Sequence, residues 1–379
     1  MLPLVLPIRE YLLAGLTATV VTFLLVGPVR VLALRLGAVA WPRGRDVHVT
    51  PTPRWGGIAM LGGVLAGVGM AYQLPALRLA FDTNSAEVVG AVLAGLLLAG
   101  VGALDDRFDL DALTKFAGQI TAAGVLIIFG IQLSTFWLPS ADGGTFLSLG
   151  AEQGMLLTVL LTVALVNAMN FVDGLDGLAA GIGMIAALAT GLFAISLIVK
   201  YGNDPSYYSP ALIAAVLGGA CLGFLPHNFN PARIFMGDSG SMVIGVLLAA
   251  ATISASGRIP IDVQAANAIN YLAFLAPVIV LAAVIFVPIL DLLMAVIRRT
   301  RAGTSPFSPD KMHLHHRLLE IGHSHRRAVL LIYLWAAVLA FGAVALTFIP
   351  DPVVVLWSVG FGLLLAVLAS AVPRVRHRA

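Results

Sequence analysis

Four polar segments interrupt an otherwise apolar chain, and their residue types suit the handling of phosphate and a hard divalent cation. In the first, Asp105-Asp106 is followed by Lys115 and then Gln119. A lysine and an amide at i and i+4 on a helix address one place, and a cation beside two carboxylates suits a phosphoryl group. Taken alone, adjacent Asp residues at a helix end are equally at home as interfacial solvation. The second segment, Asn167-Ala-Met-Asn170-Phe-Val-Asp173-Gly-Leu-Asp176-Gly177, carries two Asp-Gly steps of the kind that make tight turns. Its Asn and Asp oxygens are the ligands Mg²⁺ takes, and the terminal Glu of a calcium-binding EF-hand is missing. The third, Phe235-Met-Gly237-Asp238-Ser239-Gly240-Ser241, opens an apolar stretch. There a helix N-terminus would supply amides, a carboxylate and hydroxyls for a phosphate and a metal, although Ser and Asp also cap helices in general. The fourth, Pro306–Gly322, contains His313-Leu314-His315-His316. Ser308, Pro309 and Gly322 bracket a short amphipathic helix there, lying along the membrane interface. Its histidines lack the i, i+4 spacing of a zinc-binding helix, so contact with a phosphate or a sugar is the better reading.

The elements that must position these segments are membrane spans. With 59% hydrophobic and 11% charged residues and a mean hydropathy of +0.97, the chain has too little polar surface for a soluble globule of 379 residues. Disorder and a single-anchor receptor are excluded as well. Apolar runs give spans near Tyr11–Val29, Gly56–Leu74, Val88–Leu104, Phe116–Leu133, Met155–Val166, Leu178–Val199, Ala211–Leu225, Ser241–Ser256, Tyr271–Ile297, Ala328–Ile349 and Val353–Val372. The fifth is the shortest. The fold class is therefore an all-α integral membrane protein, a polytopic bundle of about eleven transmembrane helices.

If all are real, the loops after odd-numbered spans and the C-terminal tail hold every Lys and Arg except Arg9, Arg78, Lys200 and Arg258. By the positive-inside rule that side is cytoplasmic, with the N-terminus out and the C-terminus in. All four polar segments then face the cytoplasm from the inner membrane. The outward loop Gln132–Gly154, with Gly143-Gly144, reads as a small hairpin. His323, His325, Arg326 and Arg327 read as an anchor for the tenth span. Cys221 is the only cysteine, which precludes an intramolecular disulfide. The first span reads as a retained helix and not a signal peptide, and glycines within spans read as close helix contacts.

Taken together and in this order, Asp105-Asp106 with Lys115, the NAMNFVDGLDG run at Asn167–Gly177, FMGDSGS at Phe235–Ser241 and HLHH at His313–His316 resemble the polyprenyl-phosphate N-acetylhexosamine-1-phosphate transferases, glycosyltransferase family 4. The resemblance runs over nearly the whole chain and implies one transmembrane transferase domain over residues 1–379, with 298–327 a cytoplasmic loop carrying the short amphipathic helix. The HLHH form and the segment from Asp46 through Arg54 to Gly57 are similar to the branch that uses UDP-GlcNAc and undecaprenyl or decaprenyl phosphate. The alternative branch, phospho-MurNAc-pentapeptide translocase, carries three consecutive His. What the resemblance implies is transfer of a sugar-1-phosphate from a UDP-N-acetylhexosamine donor to a polyprenyl phosphate acceptor in the lipid bilayer, releasing UMP and requiring Mg²⁺, with Mn²⁺ a substitute. It also implies roles. Asn170 and Asp238 would be metal ligands, Asp105 and Asp106 the catalytic pair, and Lys115 a contact to the donor pyrophosphate. Asp176 would read the uracil edge and Phe235 stack on its ring, with Asp173 and Arg54 in the substrate site. His313, His315 and His316 would meet sugar and phosphate. No nucleic-acid partner is expected, and a homo-oligomer is left open.

Physical chemistry narrows the mechanism. A phosphate monoester has a second pKa of about 6, so the acceptor is mostly dianionic at neutral pH and scarcely needs a general base. The dominant requirement is charge neutralisation and in-line positioning. A single displacement at the β-phosphorus is favoured, with Asp105 and Asp106 orienting the acceptor, taking its residual proton or holding metal. A phospho-aspartate intermediate is the rival. From a different class, a secondary transporter would place ionisable residues near the midplane, where these spans are nearly free of charge.

Overall fold

The computed structural model describes residues 6–41, 51–138, 145–200, 204–257 and 323–371, with Ala282 alone in the segment between the last two. Ten α-helices occupy the described residues: α1 (Ile8–Leu36), α2 (Gly56–Gln73), α3 (Pro75–Phe108), α4 (Ala112–Ile128), α5 (Ala151–Val172), α6 (Leu178–Lys200), α7 (Tyr208–Asn228), which a 3-10 turn at Pro205–Tyr207 precedes, α8 (Gly237–Ser256), α9 (His325–Phe348) and α10 (Pro352–Ala371). Nine are long and apolar enough to cross a membrane, and α4, at 17 residues, is shorter. A lipid environment offers the backbone no hydrogen-bond partners, so apolar runs of this length close their bonds within helices. The chain is an all-α integral membrane protein. Ten of the spans read from sequence correspond to helices; the one at 271–297 lies outside the described residues, as do the interfacial helix at 306–322 and with it His313, His315 and His316.

Helix α8 forms the centre, with nearly all of its length enclosed by α3, α5, α7, α2 and α6. Helix α1 lies on α2 and α7 through small residues: a Cβ on Gly219 would stand 2.1 Å from the Gly15 carbonyl oxygen. That bears out the close-contact reading of the glycines. Helix α9 packs on α6, and α10 packs on α9 while leaving most of its apolar surface outward. Two strands, β1 (Val39–Ala40) and β2 (Thr52–Pro53), pair antiparallel beside the start of α2. A second pair, β3 (Thr135–Leu138) and β4 (Thr145–Ser148), forms the hairpin read between the fourth and fifth spans.

Side chains fix several helix ends. The Glu10 carboxylate accepts from the amides of Ala76 and Leu77 at 3.0 and 2.8 Å and so caps α3 from α1. Asp111 caps α4 by accepting from Thr114 N at 3.0 Å. Two boundaries differ from the sequence reading. The connection between α3 and α4 contracts to residues 109–111, so Asp105-Asp106 lies in the last full turns of α3. Helix α5 is not short: it runs 22 residues and takes in Asn167 and Asn170, beyond the Val166 end of the fifth span read from sequence. The helix continues because its amides find partners elsewhere. Asn167 Nδ2 donates back to Val163 O at 2.8 Å and across to Gln119 Oε1 at 2.7 Å.

Candidate active site

Three of the four polar segments meet at one end of the bundle, where α3 and α5 end and α8 begins. The Lys115 ammonium lies between two carboxylates, 3.1 Å from Asp105 Oδ2 and 3.3 Å from Asp238 Oδ2. One cation on α4 thus joins the end of α3 to the start of α8, 123 positions further along the chain from Lys115. Asp105 is held from its other side, Oδ1 accepting from Leu110 N at 2.8 Å, so the turn out of α3 sets its direction.

Asp106 is almost wholly buried, and both of its oxygens are engaged. Oδ1 accepts from Asp238 N at 2.9 Å and Oδ2 from Ser239 N at 3.2 Å, with Arg54 Nη1 3.9 Å from Oδ1. A carboxylate at the first amides of α8 meets the positive end of the helix dipole, a favourable place for it. This approach depends on two glycines. Gly237 has φ +72°, and a Cβ there would sit 2.3 Å from Asp106 Oδ2; a Cβ on Gly102 would sit 2.4 Å from Ser239 N. The FMGDSGS spacing therefore does more than furnish ligands: it lets α3 close on the start of α8.

Asn170 donates to Ser241 Oγ at 3.2 Å and lies within hydrogen-bonding reach of the Asp238 carboxylate. Asp173 follows α5 directly. Desolvation, and then the charges of Asp238 and Asp106, push its carboxyl well above the usual carboxylate range, with Arg54 opposing. Asp176 staples the loop after α7, its Oδ2 accepting from Asn230 Nδ2 at 3.0 Å and Ala232 N at 3.1 Å. Phe235 is half-buried in that loop, its backbone tied to Pro53 O at 2.8 Å and Gly56 N at 3.0 Å. Arg54 reaches the site from β2, with the neighbouring Trp55 indole donating to Ala103 O at 3.0 Å.

A cavity of about 470 Å³ opens beside these groups. Lys115, Gln119, Asn167, Asn170 and Asp238 supply its polar wall, and Phe116 and Met242 part of its apolar one. The i, i+4 pair Lys115 and Gln119 does face one space. Sequence reasoning missed the residues that brace the site. Asn228 accepts from Gly177 N at 3.0 Å and donates to Ile234 O at 3.1 Å, and the Tyr333 hydroxyl donates to Gly177 O. Neither offers a local signal: Asn228 sits in the mixed run His227-Asn228-Phe229-Asn230, and Tyr333 lies within an apolar helix.

Among the described residues, no group of three or more His, Cys, Asp or Glu side chains is arranged to hold a metal ion. Asn170 and Asp238 nevertheless fit Mg²⁺, which commonly takes one or two protein oxygens and completes its shell with substrate phosphates and water. The Asn170 amide nitrogen is engaged by Ser241, so its oxygen is the atom that would be available to a cation.

An apolar bundle that collects carboxylates, a lysine and amides at one end of its spans defines a polytopic membrane protein with a candidate active site whose groups are of the kinds suited to charged phosphates. The description glycosyl transferase family 4 matches residues 88–256, the stretch from α3 through α8. The chain is 58% identical over 342 residues to the decaprenyl-phosphate N-acetylglucosaminephosphotransferase of Mycobacterium tuberculosis (strain ATCC 25618 / H37Rv), covering 90% of this chain and 84% of the relative. It is 54% identical over 371 residues to the protein of that name in Mycolicibacterium smegmatis, covering 98% and 90%. At 32% identity over 317 residues, 82% and 77% of the two chains, it also matches the undecaprenyl-phosphate alpha-N-acetylglucosaminyl 1-phosphate transferase of Escherichia coli (strain K12). The chain belongs to glycosyl transferase family 4.

Proposed function

We propose that this protein transfers GlcNAc-1-phosphate from UDP-GlcNAc to a polyprenyl phosphate, giving polyprenyl-diphospho-GlcNAc and UMP. The observation that carries this reading is Lys115 poised between Asp105 and Asp238 at the edge of a cavity with polar and apolar walls. The names of the relatives support the sugar and the lipid class, with decaprenyl phosphate in the names of the two mycobacterial relatives described above.

The reaction brings a dianionic lipid phosphate to a pyrophosphate, so accumulated negative charge is the obstacle. Lys115 meets that charge. Its two carboxylate contacts fix the ammonium and are exchanged in part for phosphate oxygens when substrate enters. Asn170 and Asp238 would hold Mg²⁺, which when bound neutralises phosphate charge and polarises the phosphorus under attack. Asp106, with both oxygens committed to the α8 amides, acts as a positioning residue that sets where Asp238 stands. Asp105 orients Lys115 and is the carboxylate left to face the acceptor. Phe235 and Asp176 serve the nucleotide end, and His313, His315 and His316 the sugar and phosphate. A single displacement is preferred because the acceptor needs little deprotonation. A burst of UMP without lipid acceptor would overturn that preference in favour of a phospho-aspartate.

For topology, we propose about eleven spans, N-terminus out, C-terminus in, with the site at the cytoplasmic face of the inner membrane. The distribution of Lys and Arg supports this. The cytosolic nucleotide sugar and the lipid-bound acceptor can then meet at one interface. The test offers UDP-GlcNAc and UDP-MurNAc-pentapeptide in parallel to the purified protein with decaprenyl phosphate and Mg²⁺. A lipid product from UDP-GlcNAc is expected, and a product from the pentapeptide donor alone would overturn the donor assignment.

A further inference from the structure

A second cavity, of about 520 Å³, lies where the end of α7 meets the start of α9, and it shares no lining residue with the catalytic one. One wall is apolar, made by Leu222 and Leu225 one turn apart on α7 and by Phe229 just after it. The rim is polar, made by Asn230, Arg233 and Arg326. Leu222 is half exposed on the outer surface of α7, so the apolar wall continues into the belt that faces lipid. Arg326 is tethered: its Nε donates to Asn230 O at 2.8 Å, and this leaves the terminal nitrogens of the guanidinium available to a ligand in the cavity it lines. Among the described residues, neither Arg233 nor Arg326 has a carboxylate within ion-pair distance, since the ion pairs there are those of Arg54 and Lys115. Asp176 is close by, but its Oδ2 is taken by Asn230 and Ala232.

Basic residues at the end of a span are ordinary interfacial anchors. An anchor requires neither a concave apolar wall beneath it nor a fixed guanidinium. We propose that this crevice binds one anionic glycerophospholipid, its phosphate between Arg233 and Arg326 and one acyl chain along Leu222, Leu225 and Phe229. Free phosphate would make no use of the apolar wall. The polyprenyl phosphate acceptor must present its phosphorus to Lys115 and Asp238, which lie among other helices. A bound headgroup would also brace Asn230, and through it Asp176, so that the lipid steadies the loop at the donor side of the site.

The test titrates the delipidated, purified full chain with phosphatidylglycerol or phosphatidylcholine of matched acyl chains and counts retained lipids by native mass spectrometry. One phosphatidylglycerol per chain is expected. Two basic residues at an anionic headgroup correspond to a roughly thirtyfold difference in affinity, so R233Q/R326Q should bind it about thirtyfold more weakly, while R233K/R326K keeps most of the binding. Equal retention of phosphatidylcholine, or unchanged retention in R233Q/R326Q, overturns the proposal. Hydrogen exchange on the wild-type protein serves where the glutamine variant fails to fold. Phosphatidylglycerol should protect residues 229–233 and the first turn of α9. Equal protection by inorganic phosphate, displacement by equimolar decaprenyl phosphate, or no protection refutes it.

Discussion

Replacing Gly237 by Ala tests the closure of α3 on α8 without touching any charged group. The residue sits at φ +72°, and its new Cβ would stand 2.3 Å from Asp106 Oδ2, 2.6 Å from Oδ1 and 2.7 Å from the carboxyl carbon. The left-handed backbone costs about 1–2 kcal/mol for a residue with a Cβ. The clash cannot be relieved by a rotamer change alone, because both Asp106 oxygens are held by the amides of Asp238 and Ser239. Moving the carboxylate away weakens two charge-assisted hydrogen bonds of about 1.5–3 kcal/mol each. Either the substitution lowers stability by a few kcal/mol or Asp238 shifts with its backbone. A displacement of about 1 Å at a reacting group costs on the order of a hundredfold in rate. The assay is UMP release from UDP-GlcNAc by purified protein, beside apparent melting temperature. Gly27→Ala is the control, since a Cβ there meets nothing within 4 Å. Gly237→Ala should lose about a hundredfold in turnover or fail to fold, and Gly27→Ala should stay within about twofold. A Gly237→Ala protein with normal turnover and melting would refute the claim that Asp106 positions Asp238.

Other outcomes follow from the same geometry. Asn170→Ala and Asp238→Ala should each reduce metal-dependent turnover at least about a hundredfold with membrane insertion retained; near-normal turnover under metal titration would remove them as ligands. Lys115→Met leaves Asp105 and Asp238 facing each other without a cation, so its activity should fall by a comparable factor, and its turnover should not be rescued by higher donor concentration. For Asp173, the native carboxyl holds its proton more tightly than the unfolded one, so native protein binds more protons above the unfolded value of about 3.9 and loses stability as pH rises through that window. Metal-free Asp173→Asn should therefore melt above wild type at neutral pH, with the gap closing as pH falls toward about 4; a pH-independent difference would contradict the raised carboxyl.

Helical periodicity and apolar run length were enough to place the ten spans that fall among the described residues, because in lipid the backbone has few options. Boundaries failed where polar side chains satisfy one another inside a helix. Asn167 lies beyond the Val166 end of the fifth span read from sequence, yet its bonds to Gln119 and Val163 let α5 continue through it. The polar segments could be named from their residues, since Lys115 and Gln119 share a face and Gly237 opens α8. Their roles could not be ranked. That Asp106 is a buried strut and Asp105 a partner of Lys115 depends on which oxygen meets which amide, and adjacent aspartates look alike in a sequence. Asn228 and Tyr333, which hold Gly177 from two different helices, act through tertiary contacts with no local pattern.

The most direct test of phosphoryl transfer at this site is the identity of the released nucleotide, followed by chromatography as purified protein consumes UDP-GlcNAc with decaprenyl phosphate. UMP in equal amount to lipid-linked sugar, dependent on Mg²⁺ and lost in Asp238→Ala, is the expected result. Release of UDP would place the cleavage between sugar and phosphate and contradict the account.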